Sequence, residues 1–343
     1  MRFGYFVGQD LAEGASPTDA VREAVAEAVA AEDAGFDGVF VSEHHQARAS
    51  HLPAPIPLMY LLASATTRVY VGSAVLLLPL AQPTRVAEEI ALLDHLSRGR
   101  VIVGLGIGYV QDDFEAFGVN RSHGPSLFEE GVELIRRLWS EPSVDFYGKR
   151  YQLRSVSVLP RPLTPGGPPI WIGGRSLAGA KRAARIGDAW LLDATPRLEL
   201  FREWYRAYRE LALARGRAPQ LGIVRDGWVD LGAREDAVYR EAVMAAHRAK
   251  IASGVYDLDP LIAGRPPEDV SFAELARDRW LTGDGAVIGE DLDRWRSALG
   301  IDWVLIRVRN RGRPGHDLAV EQIRAFGEKV IAPGREPAGP TTR

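Results

Sequence analysis

Eight short runs of β-branched and apolar residues, most followed by a stretch with helical periodicity, recur along this 343-residue chain. No other feature narrows the fold as much. The runs are 2–7, 38–41, 69–75, 101–105, 170–173, 189–192, one within 221–229, and 303–308. Such alternation is the pattern of parallel strands joined by helical crossovers. An open doubly wound sheet would alternate in the same way. Eight units with no linker-like break in composition favour a closed (β/α)8 TIM barrel, with residues 1–332 as a single domain.

Local signals agree with this frame. Ser16-Pro17-Thr18-Asp19 opens the first helix with a capping serine, a proline in the first turn and an acid at the positive helix end. The spacing predicts a buried stripe of Val21, Val25, Ala28 and Val29, ended by Gly35. Val86, Ile90, Leu93 and Leu96 form the corresponding stripe after the third strand. Two excursions interrupt the period: 144–169, read as a hairpin around Gly148 followed by a Pro- and Gly-rich stretch, and 257–280. The tail, 333–343, is rich in Pro, Gly, Arg and Thr and is expected to be disordered.

Composition excludes several classes of function. The chain has no cysteine, so disulfides, thiolate metal sites, iron–sulfur clusters and cysteine nucleophiles are out. A net charge of −3 offers no general attraction to nucleic acid or to an acidic membrane. The most apolar run, Val69 to Ala81, is too short to span a bilayer and contains Pro79. The N-terminus reads as a strand rather than a leader. A soluble, cytoplasmic protein is expected.

In a parallel barrel, chemistry belongs at the C-terminal strand ends. Ser42-Glu43-His44-His45 follows the second strand, with His51 nearby, and a histidine there suits acid–base work near neutral pH. A metal site or inert surface histidines remain open readings, although adjacent His44 and His45 should point apart, so no metal ligand set is assigned. Gly173-Gly174-Arg175-Ser176 leads from the fifth strand into a helix and fits a phosphate, or only a tight turn. Gly104, Gly106 and Gly108 follow the fourth strand, but Tyr109 stands where a dinucleotide fingerprint needs its third glycine. These glycines would admit a planar ligand or crowd the rim. Tyr109, Phe114, Phe117, Trp171 and Trp190 fall near strand ends as core or cofactor walls.

Together these stretches resemble the bacterial luciferase-like family of flavin-dependent oxidoreductases. The matching segments are SEHH at 42–45, VGSAVLLLPLAQPTRVAEEIALLDHLSRGR at 71–100 and GLGIGYVQDDFEAFGV at 104–119. They continue with FEEGVELIRRLW at 128–139, PPIWIGGRSLAGAKRAARIGDAW at 168–190 and RDRWLTG at 277–283. The resemblance implies a barrel that binds FMN, or a deazaflavin in some branches, at its mouth. It implies His44 beside the reacting edge of the flavin as the acid–base group, supported by Glu43 and His45. Ser73-Ala74 would be the bulge under the flavin ring, often with a non-proline cis peptide. Gly173, Gly174, Arg175 and Ser176 would cradle the phosphate, with Gly106, Tyr109 and Trp190 as further cofactor contacts. Luciferases place a phosphate-binding arginine where this chain has Ile107, and Arg175 offers a replacement charge. The segment after Gly283, Asp-Gly-Ala-Val-Ile-Gly, also departs from the family pattern.

The function implied is a two-component monooxygenase. A separate NAD(P)H-flavin reductase supplies reduced FMN, molecular oxygen adds to give a peroxyflavin, and a small organic substrate is oxidised. A homodimer is expected. The alternatives are hydride transfer with a deazaflavin coenzyme and a non-enzymatic flavin-binding homologue.

Overall fold

The computed structural model describes residues 1–11, 14–46, 51–310 and 313–335. Eight parallel strands close on themselves: β1 Arg2–Phe6, β2 Gly38–Val41, β3 Tyr70–Leu77, β4 Val101–Gly106, β5 Ile170–Gly173, β6 Ala189–Leu192, β7 Leu221–Val229 and β8 Trp303–Arg307. Each pairs with the next, and β8 pairs back with β1, so the (β/α)8 barrel is complete.

The interior is plugged rather than hollow. Phe40 stacks on Trp171 at 5.7 Å, and Trp171 meets Trp303 edge-on at 5.5 Å. Glycine makes room for them: a Cβ on Gly72 would lie 2.6 Å from the Phe40 ring, and one on Gly4 would lie 2.7 Å from it. A larger apolar core fills the space between barrel and helices.

At the N-terminal end, carboxylates hold the strand starts. Asp37 accepts from Phe3 N (2.8 Å), Asp188 from Ile170 N (2.7 Å) and Asp302 from Leu221 N (2.8 Å). Glu32 accepts from the amides of Thr67, Arg68 and Val69, which hold its carboxyl down to about 2 against the upward push of burial.

The structure departs from the sequence pattern in several places. Ser16 caps the helix Pro17–Asp33 and Gly35 has φ +89, as expected, but that helix turns inward through Ala24, Glu27, Ala28 and Ala31. Val29 is exposed and Val21 only half-buried. The reason is Glu27, fully buried to accept from Tyr5 Oη and Arg309 Nη1, both at 2.6 Å. Leu96 is likewise exposed, although Val86, Ile90 and Leu93 are buried.

The first excursion contains an antiparallel hairpin, Val144–Tyr147 with Gln152–Val156. The second departure from the period is larger than 257–280. An unforeseen strand, Leu281–Gly283, pairs with the end of β7, and an unforeseen helix, Gly285–Leu299, connects it towards β8. The Ala-rich helix Ala233–Ala252 therefore opens an insertion with its own core. There Trp228 stacks on Tyr239 at 4.6 Å, beside Met244, Tyr256 and Trp280. Of the tail, Pro333–Arg335 is described, and Arg335 bonds Asp37 Oδ1 at 2.9 Å; 336–343 lies outside the described residues.

Candidate active site

A cavity of about 330 Å³ opens at the C-terminal ends of the strands, within the usual range for small-ligand sites. Glu43, His44, Ala74, Gly106, Tyr109, Gly173, Gly174, Arg175 and Ser176 all line it. Three other candidates stand behind its wall. Ser73 is fully buried and donates to Gly104 O at 2.8 Å. Trp190 is also fully buried, packs on Tyr208 and donates to Gly174 O at 2.9 Å, so it props the strand-five turn from behind. His45 bonds Glu43 Oε1 at 2.7 Å and lies 4.5 Å from the Phe117 ring.

The glycines at β4 and β5 serve the strand-three bulge. The β3–β4 register shifts between Ser73 and Leu76, and the Ala74–Val75 peptide is cis. A Cβ on Gly104 would meet Ser73 O at 2.0 Å, and on Gly106 or Gly173 it would meet Val75 methyls at 2.4 and 2.7 Å. Glu43 fixes the same bulge, its second oxygen accepting from Leu77 N at 2.6 Å. Gly174 fits close against Gly179, so the glycine pair does form a tight strand-to-helix turn.

That turn still gathers hydrogen-bond donors at one place. Ser176 caps the helix Leu177–Ile186, its Oγ accepting from Gly179 N at 3.2 Å while its own hydroxyl proton remains available. The Arg175 guanidinium lies 4.9 Å from the Tyr109 ring centre and donates to Val255 O at 3.3 Å. Arg182 reaches the same cavity, paired with Glu129 at 2.9 Å. Two arginines, a serine and a helix start suit a phosphate monoester, so these residues fit the phosphate end of FMN.

His44 faces the cavity and remains accessible from it. Burial among protein atoms, reinforced by His51, pushes its imidazole down to about 4. The His51 ring packs edge-on at 5.3 Å and bonds Asp10 through Nδ1 at 3.0 Å.

Several lining residues were not singled out from the sequence: Phe6, Asp193, Lys250 and Arg307. Asp193 and Arg307 carried a legible signal, since each is a charge at the end of an apolar strand. Lys250 carried none, because it comes from the insertion helix. Burial lowers Lys250 to about 8, with Arg307 adding to the effect. Burial alone would raise Asp193, but Lys250, Arg175 and Arg307 turn its shift downward.

The sequence model of the luciferase-like monooxygenases matches residues 1–300. The chain belongs to this family. Among relatives, an alkanal monooxygenase alpha chain of Photorhabdus luminescens is 31% identical over 215 residues, covering 61% of this chain and 59% of that one. An F420-dependent glucose-6-phosphate dehydrogenase of Nakamurella multipartita is 28% identical over 341 residues and 96% of both chains.

Two solved structures share the fold. Monooxygenase RslO1 from Streptomyces bottropensis superposes with TM-score 0.83 at 24% identity over 97% of this chain and 99% of its own. The oxygenating constituent of 3,6-diketocamphane monooxygenase from Pseudomonas putida, solved with FMN, gives TM-score 0.80 at 18% identity over 98% and 99%. This luciferase-like chain thus stands in a family of oxidoreductases that includes both monooxygenases and F420-dependent enzymes. No helix among its described residues is long and apolar enough to cross a membrane.

Proposed function

We propose that this luciferase-like protein is a two-component monooxygenase that uses reduced FMN, delivered by a separate reductase, to oxidise a small organic molecule with molecular oxygen. The observation that carries the reading is the placement of accessible His44 and the Arg175–Ser176 helix start on the walls of one cavity. The FMN complex of a structural neighbour and the alkanal monooxygenase relative support it.

Arg175, Arg182 and Ser176 would hold the phosphate. The β3 bulge at Ala74–Val75 and the Gly106–Tyr109 rim would bound the ring system. Bound reduced flavin supplies the electrons that activate oxygen. The protein's part is to exclude water and to manage protons. His44 is neutral at pH 7 and has a ring nitrogen with which to take a proton from substrate. The Ala233–Trp280 insertion covers one side of the mouth and brings Lys250 to it.

The test combines purified protein, FMN, NADH, a flavin reductase and oxygen with a panel of aldehydes, ketones and organic acids. Flavin-dependent oxygen incorporation into one of them is expected. Product formed only with a deazaflavin coenzyme and without oxygen would instead establish hydride transfer, a second reading favoured by the full-length match to an F420-dependent relative. Flavin binding with no turnover of any kind would leave a non-enzymatic flavin protein.

Two copies are expected to pair. Leu92 and Leu96 lie exposed one turn apart on the helix Pro83–Ser97, and Leu61 is exposed on the helix Pro55–Ala65 packed beside it. Such apolar surface on adjoining helices is what a homodimer interface covers.

A further inference from the structure

The cavity has a second cationic corner, separated from the β5 turn by the ends of β6 and β7. Arg307 ends β8, and Lys250 reaches the same wall from the helix Ala233–Ala252. Arg307 commits Nε and Nη2 to Asp226, at 2.8 and 2.9 Å. Among the described residues its Nη1 has no hydrogen-bond acceptor, and no carboxylate lies within ion-pair distance of the Lys250 ammonium.

The corner is held in place from behind. Asp226 is fully buried and also accepts from Asn310 Nδ2 (3.0 Å) and bonds His247 Nε2 (2.8 Å). His247 Nδ1 bonds Tyr256 Oη. Since His247 and Lys250 are three residues apart on one helix face, the buried His247–Asp226 contact fixes the turn that carries Lys250.

The charges facing Lys250 come from every neighbouring element: Asp10 after β1, Asp193 after β6, Asp226 on β7 and Arg307 on β8. His44 and His247 are both held neutral at pH 7. Asp226 is matched by Arg307, Asp10 bonds His51, and Asp193 accepts from Thr195 N at 3.0 Å. The half-buried Lys250 ammonium is thus offset by carboxylates at longer range but has no direct partner, and a ligand anion would supply one. Beside it the wall is apolar, with Phe6, Leu191 and Val224.

We propose that Lys250 and Arg307 Nη1 form a carboxylate subsite, so that the substrate is an organic acid with a small apolar body extending along the cavity towards His44. This deepens the FMN reading and rests on it in one respect: the β5 corner is taken by the cofactor phosphate, which leaves this corner to the substrate.

The test titrates the full chain, with and without FMN, with straight-chain carboxylates from butanoate to decanoate and with the matching 1-alkanols, by calorimetry. At least one carboxylate should bind about tenfold or more tighter than its alcohol, the worth of one charge-assisted hydrogen bond. Lys250→Gln should abolish that preference, Lys250→Arg should keep it, and FMN affinity should be equal in all three proteins. The preference should also fade between pH 7 and 9, as Lys250 loses its proton.

The proposal is overturned if no carboxylate is preferred, or if Lys250→Gln leaves the preference intact. It is also overturned if Lys250→Gln weakens FMN but not riboflavin, because the corner would then hold the flavin phosphate. Failure of FMN to bind the unaltered chain would instead defeat the FMN reading, while the flavin-free titration would still decide the subsite.

Discussion

His44 begins any proton transfer as a base, because burial and His51 hold it at about 4, well below an ordinary histidine. Two outcomes follow if it moves a proton. His44→Ala and His44→Asn should each cut turnover by roughly 100- to 10,000-fold. FMN affinity should change little, since the donors proposed to hold the phosphate are on the β5 side. The acid limb of kcat/KM should fall near pH 4 rather than pH 6.5, which a pH profile of the wild-type protein reads directly. A mutant that turns over at the wild-type rate would make His44 structural.

Arg175 and Ser176 need separate variants, because Ser176 is also a helix cap. Arg175→Ala should weaken FMN far more than riboflavin, as fluorescence titration would show. Ser176→Ala should in addition cost about 1 kcal/mol of stability through the lost cap. Equal losses for both ligands would move the phosphate elsewhere.

At the scale of elements, the insertion is tied to the barrel by a titratable contact. His247 is fully buried, and burial together with Lys250 lowers it to about 4, so the native state resists its protonation. Its contribution is therefore complete above pH 6.5 and is lost as pH falls towards 4, at most roughly 3 kcal/mol. Asp226, held far below its usual range, acts in the same direction at lower pH. Denaturant unfolding of the wild type should weaken across this window, and His247→Gln should be less stable at pH 7 and flatter between pH 6.5 and 4.

The barrel strands and most of their helices were legible because short apolar runs and 3.6-residue stripes reflect local burial. The first helix shows the limit. Its valines mark one face, but a buried Tyr5–Glu27–Arg309 cluster, joined across distant segments, rotates it towards another. The strand Leu281–Gly283 was too short to give a pattern of its own.

On the scale of the whole molecule, closure puts the end of every barrel strand at one mouth, which is why residues as distant as His44, Arg175 and Arg307 share a cavity. The exposed leucines of the helices Pro55–Ala65 and Pro83–Ser97 bear on assembly. The wild type should run as a dimer in light scattering, and Leu92→Glu with Leu96→Glu should shift it to monomer with the circular dichroism preserved. A wild-type monomer would remove the proposed pairing.

The barrel, the histidine run after β2 and the Gly-Gly-Arg-Ser turn after β5 could be read from residue order alone, because each is a local pattern that backbone sterics and burial impose on neighbouring residues. Which of those residues face the cavity depended on how the distant segments pack. Trp190, Ser73 and His45 lie behind its wall, and glycines that read as ligand clearance are occupied by the Val75 bulge. The same packing brought Lys250 to the mouth. A side chain's direction at a strand end depends on what packs across from it, and for Lys250 those neighbours are Asp226, on a strand 24 residues upstream, and Arg307, on another 57 residues downstream.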